Sequence, residues 1–183
     1  MGVAFQDGDV SDALVTGNSF SNSVYAILAN GIDNGPVDAT CNWYNTTDAY
    51  AVAAKVSGDI QFLPFSTSAS PMNCLGIGPV TVWDDTHTTL ISSHMEIQSA
   101  IDDPLTLDNC IITVAPGIYK QEWIYVDKSV KIHGPNLGIP GVSSTRGSEA
   151  ILRFPDDTEG WSGIFYIVAD NVVVDGFTIS DEG

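Results

Sequence analysis

Residues 111–134, IITVAPGIYKQEWIYVDKSVKIHG, constrain this chain more than any other stretch. They contain three short runs rich in β-branched and aromatic residues, at 111–115, 123–126 and 130–133, with Pro116-Gly117 and Asp127-Lys128 as corners. Each run is too short for an ordinary helix and suits a pleated, half-buried surface. No Asn-Gly or Asp-Gly pair, the usual sign of a tight hairpin, joins one run to the next. Three strands in ~20–25 residues that turn corners without reversing describe one coil of a solenoid.

A second coil is predicted downstream. Residues 151–154 should lie over 111–115, 164–168 over 123–126, and 172–175 over 130–133, with Gly176 answering Gly134. The loop 135–149, PNLGIPGVSSTRGSE, absorbs the extra length. Upstream, residues 80–83 read as a short strand. Ser93-His94-Met95-Glu96 then reads as a capping box before a helix whose Ile97, Ala100 and Ile101 share one face. Such a helix would cover an apolar cross-section and unpaired strand edges at the open end of the first coil.

The first third of the chain carries an internal repeat. Residues 13–20 (ALVTGNSF) align with 37–44 (VDATCNWY), so that Thr16 and Asn18 recur as Thr40 and Asn42, and Phe20 answers to Tyr44. The period is about that of one coil, and the asparagines should stack at one corner, where a side-chain amide bonds across the bend. Thr47-Asp48 reads as the start of a short helix running to Val56, with Ala49, Val52, Ala53 and Val56 on one stripe. Residues 59–65 read as a last strand, ended by Pro64. Residues 66–79, STSASPMNCLGIGP, have the chemistry of a linker. The expected organisation is the closing coils of one unit in 1–65, a linker over 66–79, and the cap and first coils of a second unit in 80–183. Strands at 172–179 with no cap after them suggest a fragment of a longer, multi-unit protein.

The 111–134 stretch resembles the first coil of right-handed parallel β-helix proteins of the pectin-lyase-like and pectinesterase-like group. The resemblance runs through Val114, Pro116, Gly117, Tyr119, Ile124, Val126, Lys128, Ser129, Val130, Ile132 and Gly134, with Glu122 one position late. The helix Ile97-Gln98-Ser99-Ala100-Ile101-Asp102 is similar to the one that covers the N-terminal end of those solenoids. Residues 38–44, followed by Pro64-Phe65, resemble the closing coil of bacterial extracellular β-helix repeats, from which Tyr44-Asn45 and Phe65 depart. The resemblance implies an all-β, right-handed parallel β-helix with short capping helices, outside the cell or at its surface. It implies either an adhesin-like or carbohydrate-binding segment that is not itself an enzyme, or an incomplete piece of a carbohydrate-active enzyme. In the second case, a glycoside hydrolase or pectinesterase-like protein, the catalytic coils lie outside this chain.

Charge narrows the partners. A formal net charge of −17 repels nucleic-acid phosphates, anionic membranes and polyuronates such as pectate or alginate. No apolar run reaches the roughly 20 residues of a transmembrane helix, so no membrane insertion is expected. The N-terminus lacks the basic start and apolar core of a signal peptide. Cys41, Cys74 and Cys110 have no metal-like spacing and read as small buried hydrophobes, with one disulfide as the alternative.

Chemistry-bearing residues are few. Asp170 and Asp175 sit where turn-making aspartates are ordinary, Arg146 falls in a loop, and Arg153 stands alone. His87, His94 and His133 lack paired ligand spacing. The acidic turn at 7–12 lacks the length and closing Glu of an EF-hand, and 156–159 is a second acidic loop that reads as a solvated turn. No catalytic residue, metal ligand or cofactor is therefore predicted. Aromatic alternation is more suggestive. With Ile124, Val126, Phe165 and Ile167 inward, Trp123, Tyr125 and Tyr166 emerge together on the outside. Exposed rings side by side suit a neutral polysaccharide or glycan, and these three residues are the predicted carbohydrate-binding set. Packing under the 135–149 loop is the structural alternative.

Overall fold

The computed structural model describes residues 2–180 apart from 9, 11, 22, 33–35, 122 and 155–162. The chain is of the all-β class and divides into two compact units, Met1–Gly78 and Pro79–Gly183.

In the first unit, β1 (Val3–Gly8), β2 (Ile27–Ile32), β3 (Val37–Asp38), α1 (Ala49–Ala53), β4 (Val56–Ser57) and β5 (Ile60–Gln61) follow in order. Among the described residues the named strands of this unit pair in parallel: β2 lies between β1 and β4, and β3 pairs with β5. Val3 faces Ile27 in that ladder, and parallel bridges join Leu14 to Asp38 and Ser19 to Trp43. One 24-residue period therefore sets the register at separate places, as the hydrogen bonds between Asn18 and Asn42 also show. Helix α1 begins at Asp48, whose carboxylate accepts from the Tyr50 N–H, and it stops at Ala53. The predicted continuation to Val56 gives way because Val56 pairs with Ile27 in β4, so the sheet takes the backbone. Of residues 59–65, only Ile60 and Gln61 form a strand.

Residues 66–76 have linker composition yet fold back on this unit. Phe65 forms an antiparallel bridge with Gly76, Ala69 another with Met72, and Thr67 N–H donates to Asn73 C=O. A disulfide between Cys41 and Cys74 ties the segment down. Both residues thus differ from the small-hydrophobe reading, which holds for Cys110, a free and buried thiol.

The second unit opens with β6 (Val80–Trp83) and β7 (Leu90–His94), an antiparallel pair absent from the expectations. Asp84 builds their turn, accepting from the N–H groups of Thr88 and Thr89. Ser93 faces Thr81 across this pair. The predicted capping box therefore fails: pairing keeps the chain extended through His94, and Glu96 becomes the N-cap without a side-chain bond. Helix α2 (Ile97–Asp102) buries Ile97, Ala100 and Ile101 completely against the strands.

Three faces follow: β8 (Ile111–Val114), β9 (Gly117–Lys120) and β10 (Ile124–Val126), then β11 (Lys131–His133) over β8 in parallel. One pass takes about 20 residues. The next pass places β12 (Ala150–Arg153) over β9, β13 (Phe165–Ile167) over β10, β14 (Val173–Asp175) over β11 and β15 (Thr178–Ile179) over β12. The predicted partner of 111–115 was 151–154, and this is wrong by one face. Gly117–Lys120 is itself a strand, although Pro-Gly reads as a corner, and it takes β12. Residues 111–115 and 130–133, expected on different faces, share one instead. Ile112, Val114, Ile124, Val126, Val130, Ile132 and Leu152 fill the interior.

The passes meet closely at Gly134 and Gly176. A Cβ on Gly134 would lie 2.4 Å from the Gly176 carbonyl oxygen, and Gly176 has φ +87°. Both positions exclude a side chain. Asn136 and Arg146 hold the loop between β11 and β12. Asn136 accepts from Gly147 N–H, and Arg146 donates to the Glu149 carboxylate and to the carbonyls of Ile139 and Phe177.

Candidate functional site

Strand β10 alternates as its sequence predicts. Ile124 and Val126 are fully buried, whereas Trp123 and Tyr125 are 48% and 44% exposed. In the next pass Tyr125 faces Tyr166, which is 52% exposed. The Tyr125 and Tyr166 rings stack with centroids 5.7 Å apart and planes 17° from parallel. Trp123 lies 6.2 Å from Tyr166 at a tilt of 41°. The three predicted residues are therefore brought together as an exposed cluster. Such ring pairs are worth about 0.5–1.5 kcal/mol beyond burial, so part of this cluster stabilises itself.

Two details differ from the expectation. Ile167, placed inward over Val126, is 46% exposed, because no described strand covers the far edge of β13. The near edge of β10 is closed by a side chain. The Gln98 amide accepts from Tyr125 N–H at 2.7 Å and donates to Tyr125 C=O at 3.2 Å. It takes the place of a neighbouring strand at Tyr125, whose ring stacks on Tyr166. Lys128 likewise donates to the carbonyls of Ile101 and Asp103 at the end of α2. Sequence reasoning had these two residues only as matches to a pattern. Their spacing, 25 to 27 residues from their partners, offered no local signal.

The remaining candidates are accounted for by the fold. Asp175 faces His133 across the ladder and accepts from Gly138 N–H, while Asp170 lies exposed in a corner. Arg146 is committed to Glu149 and two carbonyls, and it lines an open cleft of about 460 Å³ with Ile139, Val174, Asp175 and Phe177. The Arg153 Nε and both polar atoms of the Gln121 amide are buried without a hydrogen-bond partner. Among the described residues no group of three His, Cys, Asp or Glu could hold a metal ion. Asp9, Asp156, Asp157, Glu159 and Glu122 lie outside the described residues.

Ser92, His94 and Asp103 superficially resemble a catalytic relay. Ser92 Oγ lies 2.9 Å from His94 Nε2 and Asp103 Oδ2 lies 3.1 Å from the same nitrogen. A relay needs both ring nitrogens, one for each neighbour, and this arrangement uses one. Burial pushes the His94 pKa below its ordinary 6.5, with Asp103 opposing the shift. Burial lowers that of His133 too, against the nearby Asp175. A histidine whose folded pKa is depressed favours the neutral native form. Its contribution is full above 6.5 and is lost as the pH falls below that value. Thermal unfolding of the second unit should therefore shift downward between pH 7 and 5, before most carboxylates titrate. A double variant, His94→Gln with His133→Gln, should be flatter across that window. An equally steep variant would remove the histidines as the cause.

Comparison with known proteins finds no matching family model, curated protein or solved structure.

Proposed function

We propose that this chain is a pair of right-handed parallel β-helix segments from a secreted or cell-surface protein, adhesin-like and not itself enzymatic, that binds neutral carbohydrate. The exposed Trp123, Tyr125 and Tyr166 cluster carries the reading. Parallel strand pairing between successive passes in both units supports the architecture. The Cys41–Cys74 disulfide supports an oxidising, extracellular setting. Charge selects the ligand class. A protein of formal charge −17 opposes uronates and phosphates, while a neutral pyranose can lie on a ring face without that cost.

Single substitutions Trp123→Ala and Tyr166→Ala test it against a panel of neutral oligosaccharides. Each should weaken binding severalfold and move the unfolding free energy by less than about 2 kcal/mol, as suits half-exposed rings with one or two ring contacts each. Unchanged binding would overturn the reading. A loss of about 3 kcal/mol or more, typical of a core aromatic, would assign the rings to packing.

A further inference from the structure

The two edges of β10 have different partners. Ile124 N–H donates to Ile164 C=O at 2.7 Å, and Val126 C=O accepts from Val168 N–H at 3.0 Å, so these two residues bond toward the β13 side. Backbone groups alternate sides along a strand, and those of Tyr125 therefore face the opposite edge. One side chain takes both of them. The Gln98 amide accepts from Tyr125 N–H at 2.7 Å and donates to Tyr125 C=O at 3.2 Å. Its nitrogen also donates to Asp102 Oδ1 at 2.8 Å, four residues on in α2. An ionised carboxylate only accepts, so Asp102 fixes which end of the amide is nitrogen and which is oxygen. Two residues of the helix thus lock the backbone of the residue whose ring stacks on Tyr166.

Resting on the carbohydrate reading, we propose that Gln98, oriented by Asp102, is a positioning residue of the aromatic site. It acts through Tyr125 and not on the ligand: the cap helix holds the Tyr125 backbone, and with it the stacked ring pair, in the geometry that receives a sugar. A platform fixed before binding loses less freedom when the ligand arrives, which is how a residue outside the contact surface raises affinity.

Gln98→Ala and Gln98→Glu in the whole 183-residue protein test this. The readouts are Tyr125 amide exchange, the ring-current shifts of the tyrosine pair, and titration with cellotetraose and maltotetraose. Gln98→Ala should speed exchange of the Tyr125 amide about tenfold or more, reduce the ring-current shifts and lower affinity about fivefold. Gln98→Glu should match it at pH 7, where an ionised carboxylate beside Asp102 cannot donate to the Tyr125 carbonyl. The same variant should recover toward the wild type at pH 5, each pH having its own wild-type reference. The neighbouring carboxylate raises the pKa of the introduced acid, and the protonated acid offers one donor and one acceptor, as the amide does. Glu96→Gln, at a helix cap with no side-chain bond, should change none of the readouts. Unaltered exchange and ring shifts in Gln98→Ala would overturn the positioning role. Altered rings with unchanged affinity would also overturn it and leave the carbohydrate reading standing. Losses in Gln98→Glu that acid does not restore would reduce Gln98 to a structural cap. A wild type that binds neither sugar would overturn the carbohydrate reading, and exchange and ring shifts alone would then decide whether Gln98 holds the ring pair.

Discussion

Reduction of the Cys41–Cys74 disulfide is expected to destabilise the first unit by about 3–4 kcal/mol, in the chain-entropy account of a cross-link closing some 33 residues. The segment it restrains is otherwise held by hydrogen bonds, among them Ser66 N–H on Asn42 C=O. Residues 66–76 are held by the Phe65–Gly76 and Ala69–Met72 bridges and by small side chains, chiefly Ser66 Oγ, which accepts from Asn73 N–H. Phe65 is buried beneath this fold-back, and its ring lies 2.4 Å from where a Cβ on Gly76 would stand. Loss of the bond should release residues 66–76 first and expose Phe65. Limited proteolysis should accordingly leave the oxidised segment intact and cut it after reduction. Cys74→Ser should behave like the reduced protein, and Cys110→Ala should retain the sensitivity to reductant. A midpoint that ignores reductant, or cleavage within 66–76 while oxidised, would mean that the segment is the linker its composition suggests.

Replacing Asn42 with alanine is expected to cost about 2–4 kcal/mol, because the side chain is completely buried and all four of its hydrogen-bonding positions are filled. Its Oδ1 accepts from the backbone and side-chain nitrogens of Asn18, at 2.9 and 3.1 Å. Its Nδ2 donates to the carbonyls of Val15 and Ala39. The alanine variant would strand the Val15 carbonyl and the Asn18 N–H. The Ala39 carbonyl would keep the Tyr44 hydroxyl, a group whose pKa burial raises to about 12. Asn18→Ala is the natural control. Asn18 is exposed, so its loss should cost about 1 kcal/mol or less. Hydrogen exchange of residues 15–20 and 37–44 with denaturant midpoints would rank the two. Equal small effects would make the asparagine repeat a coincidence of turns.

Much of this was legible locally. The period between Asn18 and Asn42 is printed in the residues themselves, and stacking of equivalent corners needs only that one distance. Alternation along 123–126 requires nothing beyond the pleat, so Trp123 and Tyr125 could be placed outside with no tertiary information. The Tyr125–Tyr166 register followed from matching two alternating runs. The apolar stripe of α2 was equally plain.

Other features were settled by partners far along the chain. Residues 93–96 carry a helix-capping pattern, but pairing of Ser93 and His94 with β6 satisfies their backbone in a strand first. Pro116-Gly117 looks like a corner, yet Gly117–Lys120 becomes a strand because Ala150–Arg153 lies beside it. That one strand shifts which runs share a face, and no local rule counts faces. Cys74 has no signal of its partner, since only the fold-back of 66–76 brings it to Cys41. Sequence determined which side of β10 meets the core, because alternation is a property of consecutive residues. The tertiary structure decided which strands adjoin and which side chains close the edges, because backbone hydrogen bonds across a sheet carry no residue identity.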